Sequence, residues 1–143
     1  MMPRYRFTTN DCIRGGKSRA AQAAAYRIDN PTKAEAFVRK AVAIAFPDTT
    51  LRFEYPIKID GGLTLYVDIM AFSGDKSLFA IEVDGSNGWH GGGLKGAQYD
   101  ELKARWLFDN QILLIVAIRN QWRHIGDLAN WIKEQYENRN AMG

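Results

Sequence analysis

Carboxylates sit in this chain where apolar runs would otherwise continue. Asp68 follows Tyr66 and Val67, and Glu82-Val83-Asp84-Gly85 closes the run that begins at Leu78. Trp89-His90 stands in a glycine-rich stretch, and Asp100 precedes Lys103 by three residues. Burying an unpaired carboxylate costs several kcal/mol, so a buried strand ending in two of them needs a compensating cation. Strand side chains alternate, which sets Glu82 and Asp84 on one face, about 7 Å apart, and Ile81 and Val83 on the other. Two carboxylates so placed suit a hard divalent ion that takes oxygen ligands.

The elements that position these groups can be read from periodicity. Leu51 to Ile59 and Leu63 to Phe72 read as strands joined by Asp60-Gly61-Gly62, a strong hairpin signal. The turn Ser73-Gly74-Asp75-Lys76 leads into a third strand, Ser77 to Asp84, which makes an antiparallel meander. Upstream, Arg4 to Thr8 reads as a short strand, and Thr9 or Asn10 as a cap for an alanine-rich helix from Lys17 to Ile28. A second helix starts at Pro31-Thr32, with Glu35 completing a capping box. It carries the stripe Phe37, Val38, Ala41, Val42, Ala45 and Phe46, and stops at Pro47. After the glycine-rich loop come a helix from Gly96 to Asn110, an apolar strand from Ile112 to Ile118, and a last amphipathic helix from about Ile125 that buries Leu128, Trp131, Ile132 and Tyr136. A strand reached through a crossover helix joins the same sheet in parallel. The expected fold is therefore a single α/β domain: a mixed sheet of four to five strands, a meander plus one parallel strand, flanked by helices.

At 143 residues and 46% hydrophobic composition the chain supports one core and is too short for two ordinary domains. A single cysteine, Cys12, rules out an internal disulfide framework and a cysteine-based zinc cluster. No window has the roughly 18 apolar residues of a membrane span, and the N-terminus lacks a signal peptide's apolar centre, so the expected location is cytoplasmic, with no membrane partner. Net charge is +3, but residues 1–40 hold nine Lys or Arg against three acids, a local +6 that leaves −3 for the rest. This divides the chain into a basic arm over residues 1–30 and an α/β body over 31–143. A basic arm on a more acidic body fits an enzyme that binds a polyanion, although a solvated terminus has the same composition.

Glu35 on a helix, Asp68 on a strand, Glu82-x-Asp84-Gly85 on the next, His90 in the following loop, and Asp100 with Lys103 on the next helix together resemble the PD-(D/E)xK nuclease superfamily. The similarity is greatest to the branch of the very short patch repair endonucleases, whose central strand ends in Glu-Val-Asp-Gly, and the order of elements resembles that of phage and archaeal Holliday junction resolvases. It spans roughly residues 32–119. The resemblance implies a restriction-endonuclease-like core and a metal-dependent endodeoxyribonuclease using Mg²⁺ or Mn²⁺. It also implies Asp68 and Glu82 as principal metal ligands, with Asp84 and the Val83 carbonyl as further ones and Glu35 bound directly or through water. The superfamily usually has Lys at the position of Asp84; here Lys103 or Arg105 would supply the cation from the helix, or activity would be lost.

Each of these residues also has a plainer reading. Glu35 is what the Thr32 capping box requires, Asp100 and Lys103 could form a weak solvated ion pair, and His90 could be an ordinary surface histidine. As a functional group, His90 would accept a proton from water or bind phosphate. Gly16-Lys17-Ser18 lacks the upstream glycine of a nucleotide-binding loop. Arg14, Lys17, Arg19 and Arg27 are instead read as phosphate contacts, and Trp89 as a side chain that stacks on a base. The expected substrate is branched DNA, such as a Holliday junction of phage type, in a bacterial or phage-infected cell. Cutting both strands would require a homodimer. A mismatch or nicking endonuclease and an inactive nuclease-fold DNA-binding protein are the alternatives.

Overall fold

The computed structural model describes residues 18–84 and 93–142. Arg14, Lys17, Trp89 and His90, like the strand expected over Arg4 to Thr8, lie outside the described residues. The elements in chain order are α1 (Arg19–Asp29), α2 (Lys33–Ala45), β1 (Thr50–Ile59), β2 (Leu63–Ser73), β3 (Lys76–Asp84), α3 (Gly93–Asp109), β4 (Leu113–Ile118), a 3₁₀ turn (Arg119–Gln121) and α4 (Ile125–Met142). Four strands are present among the described residues, in the order β1-β2-β3-β4, with β1, β2 and β3 antiparallel in turn and β4 parallel to β3. The domain is thus an α/β layer with a mixed four-stranded sheet.

Local chemistry accounts for the boundaries. Helix α1 begins at Arg19 because the Ser18 hydroxyl accepts the Ala21 N–H at 3.1 Å. The capping box at α2 is complete: Thr32 Oγ1 accepts from Glu35 N, and Glu35 Oε1 accepts from Thr32 N. Gly61 (φ 91°) and Gly62 (φ 86°) take the left-handed backbone of the tight β1–β2 turn. Ile112, expected to open β4, instead closes α3. Its N–H donates to Leu107 O and that of Gln111 to Phe108 O, the paired bonds of a Schellman motif, with Leu107 and Ile112 packed in the same cluster.

The sheet has a core on each face. On one side Ile69, Ala71, Phe79, Ile81, Ile115 and Ala117 pack against Val38 and Val42 of α2 and Leu128 and Ile132 of α4. Phe79 lies against Phe46 and Tyr136, with ring centroids 5.0 and 5.3 Å away. On the other side Ile57, Leu65, Val67, Met70 and Ala80 pack against Leu107 and partly buried Tyr99, Leu102 and Trp106 of α3.

Strands β1 and β2 do not keep one face throughout. Leu51 and Phe53 join the α2/α4 core, whereas Tyr55, Ile57 and Ile59 join the α3 core. In β2, Leu63, Leu65 and Val67 face α3, but Ile69 and Ala71 face α2 and α4. Strict alternation would keep each odd-numbered series on one side. The switch falls at Glu54 in β1, which has a φ of 51°, and at Asp68 in β2. The pairs Phe53↔Ile69 and Tyr55↔Val67 flank these two residues, so the acids occupy the same level of the hairpin.

Gln111 occupies the left-handed position of the Schellman motif with φ 59°, where a side chain is strained. Gln111→Gly should therefore stabilise the fold by about 1 kcal/mol, read as a higher midpoint in urea denaturation. A lower midpoint would mean that the Gln111 side chain contributes more than its backbone costs.

Candidate metal centre

The β2–β3 ladder runs from Ser73↔Lys76 to Ile69↔Ile81 and stops one step short of Asp68 and Glu82. There the side chains take over from the backbone. Asp68 N–H donates to Glu82 Oε2 at 2.9 Å, and Val83 N–H donates to Asp68 Oδ2 at 2.8 Å. The strands open at this point, and their two acids bridge the gap.

Glu82 is fully buried. Its second oxygen, Oε1, accepts from Lys103 Nζ at 2.5 Å, and the same ammonium donates to the Tyr66 carbonyl at 3.1 Å. Lys103, itself 8% exposed, reaches the strand from α3. The counter-charge demanded by a buried carboxylate on β3 is thus a lysine 21 residues further along. A buried pair of this kind survives because both partners have additional hydrogen bonds, as they do here.

In front of this pair lies a cleft of about 500 Å³ lined by Glu35, Glu54, Tyr66, Asp68, Val83 and Lys103, together with Arg27 and the start of α2. Glu35 from α2, Glu54 from β1 and Asp68 from β2 each bring a carboxylate oxygen within 4.8 Å of the others. Glu54 Oε1 accepts from Arg27 Nε of α1. Among the described residues the salt bridges at the cleft are Arg27–Glu54 and Lys103–Glu82. Among those residues, Glu35 and Asp68 have no such partner.

The expected residues divide accordingly. Asp68 and Glu82 meet across the open end of the hairpin, and Val83 lines the cleft. Glu35 is in the acidic cluster while its Oε1 caps α2, so both readings of it hold. Glu82 lies behind the cleft wall, and Asp84, 5% exposed and level with Ile118 of β4, is not among the lining residues. Lys103 is not the solvated partner of Asp100; both are buried. Arg105 is exposed and pairs with Glu101 at 3.4 Å. Arg19 is exposed on α1, and Arg27 faces the acidic cluster.

Glu54 is the residue that sequence reasoning missed. It alternates with Leu51, Phe53, Tyr55 and Ile57 in phase with exposed Arg52, Pro56 and Lys58, and so reads as a solvent-facing side chain; its actual exposure is 4%. One signal was present. A three-residue turn pairing Ile59 with Leu63 sets Glu54 level with Asp68, and like charges at the same level of a hairpin are unfavourable without a cation. The left-handed backbone at Glu54 is an uncommon conformation for glutamate, the kind of local strain that clusters at functional sites.

Electrostatics here oppose ionisation. Burial pushes the Asp68 carboxyl from 3.8 to about 7, with the Glu82 charge adding to the rise. Glu82 is raised by burial against the opposing pull of Lys103, and Glu54 by burial against its bond from Arg27. The donor set is all hard oxygen, as Mg²⁺ or Mn²⁺ requires. The oxygens of the three carboxylates lie within 4.8 Å of one another, so small side-chain adjustments would let them hold one ion. Comparison with family models, curated proteins and solved structures finds no match to this chain.

The raised Asp68 carboxyl makes stability pH-dependent with a defined sign. A group protonated more readily in the folded state contributes stability that is complete below its ordinary value of 3.8 and is lost as pH rises through about 7. In chelator-treated protein the melting temperature, measured relative to Asp68→Asn, should fall between pH 4 and pH 8, and Mn²⁺ should restore it at the upper end. A rising difference would reverse the sign assigned to this carboxyl.

Proposed function

We propose that this chain is a divalent-metal-dependent nuclease of the PD-(D/E)xK type that hydrolyses phosphodiester bonds in DNA. The observation that carries this reading is the convergence of Glu35, Glu54 and Asp68, from three separate elements, on one cleft with Lys103 in its wall. The splayed β2–β3 end, with an acid on each strand and a helix following, also supports a restriction-endonuclease-like core.

Glu35, Glu54 and Asp68 would hold the ion, with the Val83 end of β3 beside them. When bound, the ion would polarise a phosphoryl oxygen, lower the pKa of water and stabilise the departing oxygen. The remaining tasks fall to the protein. Lys103, fixed by Glu82 and the Tyr66 carbonyl, presents an ammonium at the cleft, suited to hold a phosphate oxygen. It would serve for the lysine that the superfamily usually carries where this chain has Asp84. Glu82 holds Lys103 with one oxygen and the Asp68 backbone with the other, orienting both.

A branched substrate such as a four-way junction, cut by a homodimer, remains our expectation within this class, with mismatched duplex as the rival. A second reading, a nuclease-fold protein that binds DNA without cutting it, draws on one observation: Lys103 is already engaged by Glu82.

The test is incubation of four-way junction, linear and mismatched duplex with Mg²⁺ or with chelator. Asp68→Asn should lower cleavage at least about a hundredfold while DNA binding persists or strengthens, since a negative charge has been removed. Lys103→Ala should lower it comparably, whereas Lys58→Ala, an exposed β1 control, should leave it within about twofold. Binding without metal-dependent cleavage by the wild type would establish the second reading instead.

A further inference from the structure

Arg27 is the cleft residue that the proposed chemistry leaves without a task. Its guanidinium is spent on Glu54, one of three carboxylates assigned to the ion, and the partners differ sharply in their surroundings. The Glu54 side chain is 2% exposed and that of Arg27 is 42% exposed. A buried carboxylate requires a counter-charge at all times, but an arginine with nearly half its surface in water does not.

We propose that Arg27 is a displaceable counter-ion, neutralising Glu54 until a divalent cation takes that carboxylate over, and then free to bind a phosphate of the nucleic acid. The inference rests on the metal-dependent reading given above. An ion pair with one partner half solvated is weak; a divalent ion shared by three carboxylates displaces it. Arg27 and a cation held by the cluster would compete for the same Glu54 carboxylate, which belongs to both the ion pair and the acidic group.

The backbone at Arg27 is held independently of this ion pair. Arg39 of α2 donates to the Arg27 carbonyl at 3.1 Å and to the Ile28 carbonyl at 2.9 Å, while its guanidinium lies 4.0 Å over the Phe53 ring. Release from Glu54 therefore swings a side chain from a fixed helix end. Arg27 also stands between two cavities: the acidic cleft and an adjoining space of about 290 Å³ lined by Tyr66, Tyr99 and Lys103. Freed, its guanidinium and the Lys103 ammonium border the same two spaces, and a phosphate between them would meet both. Cation and phosphate then reinforce each other's binding, since each gains from the ion pair that the other breaks or replaces.

Calorimetry with Mn²⁺ alone separates the possibilities. Arg27→Gln should bind Mn²⁺ about fivefold more tightly than the wild type, because no guanidinium competes for Glu54, and Arg27→Lys should fall between them. In fluorescence anisotropy, the gain in duplex affinity on adding Ca²⁺ should shrink in Arg27→Gln. Unchanged or weaker Mn²⁺ binding by both variants, with the wild-type circular dichroism spectrum retained, would overturn the proposal and make Arg27 a support of the centre. Failure of the wild type to bind Mn²⁺ would overturn the metal centre itself, and this inference with it.

Discussion

Negative charge held out of water at the open end of a hairpin is the constraint around which this domain is arranged. Four carboxylates, those of Glu35, Glu54, Asp68 and Glu82, gather where β2 and β3 part, and the salt bridges described there supply two cations, Arg27 and Lys103. Among the described residues, the acids there outnumber the cations paired with them. Burial and mutual repulsion keep Asp68 partly protonated near neutrality. Perturbation of this kind, from desolvation plus a named neighbour in a cleft, makes Asp68 a candidate functional residue.

The surrounding fold meets that constraint with groups that serve twice. Asp68 and Glu82 replace the ladder hydrogen bonds lost where the strands part, so the backbone N–H groups of Asp68 and Val83 are satisfied while the gap stays open. Glu35 closes the first turn of α2 and reaches the cluster, tying the start of that helix to the site. Lys103 neutralises Glu82 from across the α3 face, so the α3 core positions the ammonium as much as it buries Leu107. The switch of faces at Glu54 and Asp68 turns both acids to the cleft without breaking the hairpin register on either side. Its cost is a left-handed glutamate, tolerated because its neighbours Phe53 and Tyr55 are anchored in opposite cores.

Much of this was legible along the chain because the signals are local. Apolar alternation with Asp60-Gly61-Gly62 marks the hairpin, Thr32 with Glu35 marks the start of α2, and the interruption of an apolar strand by Glu82 marks a buried charge in need of a partner. Elements are written in this way because turns, caps and periodicity depend on neighbours a few residues apart. The residue types also determined that any ion held here would meet hard oxygen ligands, and that Asp68 and Glu82 were candidates to face each other on adjacent strands.

Tertiary structure decided which acids line the cleft and which stand behind it. Glu54 looks exposed in its strand pattern and is buried, because a positive φ in a glutamate has no sequence signature and reverses the faces that alternation predicts. Glu82, Asp84 and Val83 are consecutive or nearly so, yet Val83 alone of the three borders the cleft. Arg27 looks like a free phosphate contact and is held by Glu54, a residue 27 positions away. Pairing among buried charges is settled by distance and dielectric in the folded state, and those quantities do not exist until α1, the hairpin and α3 have packed together.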